Sequence, residues 1–169
     1  GVDAASIVVD VGTGTGFLAA AFSPLVEHVI GVDFSAEMLA VAAENLRAFP
    51  NVEWRVANGL SLPLKRETVD AAVANMYLHH APEPAEAIRE MARVVRPGGR
   101  VVLTDLDTHG HEWLRREHAD RWLGFARADV RRWFEEAGLV KVAVDCVGSN
   151  CCATSTEGEK AAISIFIAS

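Results

Sequence analysis

Three glycines, Gly12, Gly14 and Gly16, alternate with Thr13 and Thr15 directly behind the apolar run Val8–Val11, and an acid, Asp10, stands inside that run. Glycine at every second position lets a ligand approach the backbone closely, because no Cβ stands in the way. A second acid, Asp33, ends the next apolar run at about the twenty-residue separation from Gly12 expected of a carboxylate that takes ribose hydroxyls. The spacing is G-x-G-x-G, with Phe17 where a dinucleotide fingerprint places its third glycine, so the usual pyrophosphate cradle is missing. A carboxylate at Asp10 would repel a phosphate and suits a ligand carrying an amino group or a positive charge. The pattern therefore predicts a ligand with a ribose and no phosphate.

Other reactive side chains follow later. His79 and His80 come just after the run Val69–Asn75, where either could orient or deprotonate a bound acceptor. The alternative is that "LHH" ends the strand and packs against the helix opened by Pro84. Cys151 and Cys152 lie in "SNCCATSTEGEK" (149–160), read here as a connection hanging over the ligand. Thiolates suit a soft acceptor such as trivalent arsenic. Adjacent residues in a loop do not easily chelate one ion, however, and free cysteines commonly pack as small hydrophobes. His109, His111 and His118 show no metal-like spacing with a nearby thiol, and no metal site is expected. Trp113, Trp122 and Phe125 either line a substrate pocket or pack their segment on the sheet.

The elements that must hold these groups alternate between strand and helix patterns, which predicts a mostly parallel sheet wrapped by helices. Strands are expected over Ile7–Val11, His28–Asp33, Asn51–Ala57, Val69–Asn75, Arg100–Leu106, Val140–Val147 and Ala161–Ala168. Helices are expected over Phe17–Phe22, Ala36–Leu46 with Ser35 as N-cap, from Pro84 to the "RPGG" at 96–99, and over Ala128–Ala137. The stretch before Val69 is too short for a full crossover helix and reads as a loop. Residues 111–125 read as amphipathic and irregular. No helix separates the last two strands, which predicts an antiparallel hairpin. The fold class is α/β, a Rossmann-like doubly wound seven-stranded sheet with an antiparallel last strand, forming one domain over residues 1–169.

The chain of 169 residues carries a net charge of −7, which argues against a nucleic-acid partner, since phosphate contacts need a basic face. Most of its basic residues fall between Arg89 and Arg132, but acids are interleaved there, as on solvated helix faces. No apolar run reaches bilayer-spanning length, so no membrane association is expected. Three cysteines, two of them adjacent, do not make a disulfide framework, and a cytoplasmic setting is expected. Gly1 stands just ahead of the first strand, so the expectation is either a minimal core or a further segment upstream.

On these residues the chain resembles the class I S-adenosylmethionine-dependent methyltransferases, of the methyltransferase type 11 kind. "VVDVGTGTG" is similar to their first motif and "VIGVDFSAEML" to the second, while "VDAAVANMYLHH" and "PAEAIREMARVVRPGGRVVLTDL" are similar to the stretch through strands four and five. Their cofactor has a ribose, an adenine, a sulfonium and an ammonium, and no phosphate, as the glycine loop and its acids require. The resemblance implies that Asp10, Gly12, Thr13, Gly14 and Gly16 face the methionine end and that Asp33 binds the ribose. It places Phe34 and Met38 against the adenine, Asn58 and Gly59 at the adenine amino group, and Asn75 near the reactive methyl. The family usually has an acid at the position of Asn58, whose amide oxygen can accept the same hydrogen bond. Tyr77, Cys151 and Cys152 then fall on the substrate side, and His79 and His80 are the catalytic candidates. The segment 111–139 is similar to bacterial methyltransferases linked to arsenic-sensing-type repressors. The N/D-P-P-Y/F motif of many amino-group methyltransferases is replaced by "NMYL". The implied activity is methyl transfer from S-adenosyl-L-methionine, with S-adenosyl-L-homocysteine as product, to a small-molecule acceptor, including a metalloid or thiol. A non-catalytic cofactor-binding sensor or partner-activating module is the alternative. An NAD-dependent reductase is disfavoured by the glycine spacing.

Overall fold

The computed structural model describes residues 2–169. Its centre is β1 (Ile7–Val11), whose β-branched run is buried on both faces, as expected of a central parallel strand. From there the chain passes through α1 (Phe17–Phe22), β2 (His28–Asp33), α2 (Ala36–Asn45), β3 (Val52–Val56) and β4 (Val69–Asn75). A short 3-10 turn (Leu78–His80), α3 (Pro84–Val94) and β5 (Val95–Leu106) follow. The chain then adds α4 (Trp113–Glu117), α5 (Arg127–Glu136), β6 (Val144–Thr154) and β7 (Lys160–Ala168).

The seven strands form one sheet in the order β3-β2-β1-β4-β5-β7-β6. β1 to β5 run parallel, and β7 enters antiparallel between β5 and β6. One face is covered by α3 and α5, whose Ile88, Met91, Val130 and Phe134 join Val9, Val11, Ile30 and Val32 in the larger core. On α3 the buried residues Ala87, Ile88, Met91 and Val94 fall on one helical stripe, each large one contributing about 1.5–3 kcal/mol by leaving water. The opposite face packs Val8, Val29, Ala71 and Val73 under Ala19 of α1 and Leu46 beyond α2. Helices on both faces of a mostly parallel sheet make this the doubly wound architecture that the alternating pattern predicts.

Local signals set several boundaries. The Ser35 hydroxyl caps α2 by accepting from the Met38 N–H at 3.1 Å, and Pro84 occupies the first turn of α3, where its missing N–H costs nothing. Residues 57–68 contain no helix, as their length requires.

Three boundaries depart from expectation by more than one residue. β5 begins at Val95, not Arg100: Val95 already pairs with Val69, and "RPGG" is absorbed as an irregularity before Arg100 pairs with Ala71. β6 begins at Val144, not Val140, which is 81% exposed. It also runs on to Thr154, so the expected connection over 149–154 is strand. Cross-strand partners supply the reason: Cys151 pairs with Ile163, Cys152 with Ala162 and Thr154 with Lys160, leaving a short turn between them. This hairpin reaches past Leu106, where β5 ends its pairing with β7.

Candidate active site

In an open parallel sheet the strands' carboxyl ends form a binding crevice where the order reverses, here between β1 and β4. Gly12, Gly14 and Gly16, which follow β1, all have left-handed backbone (φ 69°, 54° and 89°), a conformation other residues adopt at a cost. The Gly12 and Thr13 N–H groups both donate to the Val32 carbonyl, at 2.9 and 3.0 Å, which ties the loop to β2. Asp33, the last residue of β2, accepts from the Gly14 N–H at 2.9 Å with one oxygen and from the Ser35 N–H at 3.0 Å with the other. A carboxylate oxygen can accept twice, so Asp33 keeps acceptor capacity for a diol.

Asp10 takes a different position. It is 1% exposed, lies beneath the loop, and accepts from the Thr13 hydroxyl at 2.6 Å. Burial pushes its pKa up to about 6. In this position it holds the glycine loop from below through Thr13. Phe34 and Met38 are exposed beside Asp33, with Phe34 78% accessible. An aromatic face and a thioether in water next to a ribose-binding acid offer a platform for a flat base. The Asn58 side-chain oxygen accepts from the Leu60 N–H at 3.0 Å, an Asx turn that presents buried Gly59 to the crevice. Asn75 ends β4 and accepts from the Thr104 hydroxyl at 2.6 Å.

Tyr77 joins these parts. A Cβ on Gly12 or on Gly59 would collide with its ring, so both glycines are needed for the ring to lie between the two loops. Burial and the Asp33 charge push its phenol up to about 12, which keeps it protonated. Met76, just before it, has φ 53°, unusual for a long side chain and part of what turns Tyr77 inward.

The two histidines differ. His79 is buried and its Nδ1 is 2.8 Å from Asp105, whose carboxylate also accepts from the N–H groups of Leu78, His79 and Leu106. Its Nε2 is 3.9 Å from Asp120. Burial pulls the His79 pKa down, but the Asp105 hydrogen bond and the charges of Asp105 and Asp120 outweigh this and hold it above the ordinary value. His80 sits at the surface, its pKa lowered by partial burial and by the neighbouring His79. Asp105 and Asp120, the two acids that face His79, were not singled out by the sequence. For Asp105 a signal existed, an acid embedded in the apolar run "VVLTDL"; for Asp120, in a polar stretch, there was none.

The thiols are not brought together. Cys151 faces the small cluster of Leu106, Trp113, Leu114 and Ile163, while Cys152, next along the strand, is exposed and points to the other face. Trp113 and Phe125 are buried as packing residues, and Trp122 donates to the Ala81 carbonyl at 2.9 Å. The clefts at Arg66, Glu86 and Arg93 (about 250 Å³) and at Asp3, Asp70 and Arg96 (about 400 Å³) lie away from this crevice.

Sheet order, left-handed glycine loop and the acid closing β2 together define the architecture of the class I S-adenosylmethionine-dependent methyltransferases. Residues 9–103 match the family model described as a methyltransferase domain, and the chain belongs to that family. It is 37% identical over 100 residues, 58% of this chain and 40% of the relative, to an uncharacterized methyltransferase, YcgJ, of Bacillus subtilis. The crystal structure of YcgJ superposes with a TM-score of 0.78 at 21% identity, covering 99% of this chain and 91% of the other. An arsenite methyltransferase of Halobacterium salinarum is 39% identical over 104 residues, 59% of this chain and 27% of its own length. A demethylmenaquinone methyltransferase of Clavibacter sepedonicus is 33% identical over 109 residues, 64% and 44% respectively. In sequence, the matching stretch spans less than half the length of each of these curated relatives. Among the described residues no helix is long and apolar enough to cross a membrane.

Proposed function

We propose that this chain binds S-adenosylmethionine and catalyses methyl transfer from it to a small-molecule acceptor. The observation that carries the reading is Asp33, fixed between the Gly14 and Ser35 N–H groups at the rim of the crevice with lone pairs to spare. A ribose diol is the ligand such a carboxylate suits best. Gly12–Gly16 would take the methionine end, Asp33 the ribose, and Phe34 with Met38 the adenine. When bound, this cofactor supplies an electrophilic methyl on a sulfonium, already a good leaving group.

Placement of the acceptor then provides most of the acceleration. Tyr77 lies over Gly12 and Gly59, where its ring would form one wall of the site towards the acceptor. A base is needed only when the acceptor arrives protonated. His80, at the surface and kept neutral near pH 7, is open to such an acceptor; His79, held at Nδ1 by Asp105 and facing Asp120 at Nε2, positions the turn instead. The relatives include an arsenite and a demethylmenaquinone methyltransferase, so metalloid and quinol acceptors belong in the same screen. The opposed orientation of Cys151 and Cys152 argues against the two thiols holding one arsenic atom.

The test combines calorimetry with S-adenosylhomocysteine and transfer of labelled methyl to arsenite, thiols, quinols and phenols, on the unaltered chain and on Asp33→Ala. Binding and transfer, both lost in the variant, support the reading. Binding without transfer to any acceptor assigns the chain to the sensor or partner-activating class, and absence of binding removes the reading altogether.

A further inference from the structure

Two segments distant in sequence bring three ligand-bearing side chains to one point beside the crevice. His79 and His80 come from the turn after β4, and Asp120 comes from the loop after α4; one donor atom of each lies within 4.8 Å of the others. The loop is held there by its backbone, since the N–H groups of Arg121 and Trp122 both donate to the His79 carbonyl, at 3.0 and 3.1 Å. We infer that His79, His80 and Asp120 form a binding site for one divalent transition-metal ion.

Three observations support this. First, Asp105 accepts a hydrogen bond from His79 Nδ1 (2.8 Å), which makes that nitrogen the donor and turns Nε2, the nitrogen left for a metal, towards Asp120. A carboxylate behind a histidine is the usual support of a metal-bound imidazole. The Nε2 to Asp120 separation of 3.9 Å is too long for a good hydrogen bond. It lies a few tenths of an ångström beyond the roughly 3.4 Å between ligands of tetrahedral zinc, so a small closure suffices. Second, Asp105 is satisfied by three backbone N–H groups and the His79 ring, whereas Asp120, only 6% exposed, has its carboxylate facing His79 Nε2 with no closer side-chain partner among the described residues, a buried acid free to ligate. Third, on the segment between β5 and α4, His109 Nε2 is enclosed with no hydrogen-bond partner among the described residues, an unpartnered nitrogen outside the three-ligand cluster itself.

Two imidazoles and one carboxylate suit zinc, cobalt, nickel or iron rather than calcium or magnesium. The inference does not rest on methyl transfer. An ion and a proton compete for His80, so a metal-loaded chain has a ligand where the metal-free chain has a base.

The experiment is a titration with Co²⁺, without cofactor, of the chain carrying Cys146→Ser, Cys151→Ser and Cys152→Ser, alongside the unaltered chain. The expected result is one Co²⁺ per chain with the visible absorption of a four- or five-coordinate ion, displaced by one equivalent of Zn²⁺. His80→Gln and Asp120→Asn should each weaken binding at least tenfold, while His118→Gln leaves it unchanged. Absence of stoichiometric Co²⁺ in the unaltered chain, binding confined to the thiol-containing chain, or equal affinity in His80→Gln overturns the site. His80 is at the surface, so that variant decides even if Asp120→Asn fails to fold.

Discussion

Two carboxylates at the C-terminal ends of parallel strands grip the neighbouring loop in this molecule, with opposite consequences. Asp33, ending β2, accepts the Gly14 and Ser35 N–H groups and keeps a rim position beside an open apolar platform of Phe34 and Met38. Asp105, near the end of β5, accepts three backbone N–H groups and a histidine ring, and is wholly enclosed. The same device, a strand-end acid capping backbone donors, serves recognition where the capped loop is glycine-lined and structure where it is packed over. Asp33 is 8% exposed and its hydrogen bonds are part-buried, whereas those of Asp105 are fully buried, and this difference separates the two.

The largest effect should separate them by stability. Asp105→Ala leaves buried donors and His79 without a partner, and should lower the unfolding free energy by about 3–5 kcal/mol in urea denaturation. Asp33→Ala should cost only about 1–3 kcal/mol, because its two hydrogen bonds are part-buried rather than fully enclosed. Equal losses would break the comparison.

A third acid, Asp10, sharpens it. Burial raises its pKa to about 6, so the folded state holds its proton more tightly than an unfolded chain, where aspartate titrates near 3.9. The stability from that proton is fully present below about pH 4 and lost as pH rises to about 6, amounting to on the order of 3 kcal/mol. Asp10→Asn should therefore gain on the unaltered chain across that window and run parallel to it above pH 7. A constant difference in denaturation midpoints from pH 4 to 7 would contradict the burial argument.

How far these roles were legible depended on what carried the signal. The cofactor half was readable because its burial is two-sided: Ile7–Val11 and His28–Asp33 are nearly unbroken apolar runs, and the glycines and Ser35 mark where each ends. The C-terminal hairpin was not. β6 is buried at Val144 and mostly exposed beyond it, so "GSNCCAT" has the composition of a loop and becomes a strand only through pairing with residues 160–164. The His79, Asp105 and Asp120 cluster is likewise a product of topology, joining residues some 40 apart that no local period connects. At Asp10 the residue type and place were legible, while the Thr13 hydroxyl that closes over it is a tertiary feature with no local signal.

Smaller effects complete the set. Loss of S-adenosylhomocysteine affinity in Asp33→Ala should be about 10- to 100-fold by calorimetry, the worth of one charged hydrogen-bonding group. Ser35→Ala removes the cap of α2 and should cost about 1 kcal/mol with little change in fold. Cys151→Ser with Cys152→Ser should leave methyl transfer within about twofold of the unaltered chain, since the two side chains face opposite ways. Loss of arsenite methylation alone in that variant would return the thiols to the mechanism.

The decisive measurement is a crystal structure of the chain soaked with S-adenosylhomocysteine. The account predicts both sugar hydroxyls within hydrogen-bonding distance of the Asp33 carboxylate and the amino-acid tail along Gly12–Gly16. Density for the nucleoside at some other surface, or at this crevice with its sugar turned away from Asp33, would contradict it.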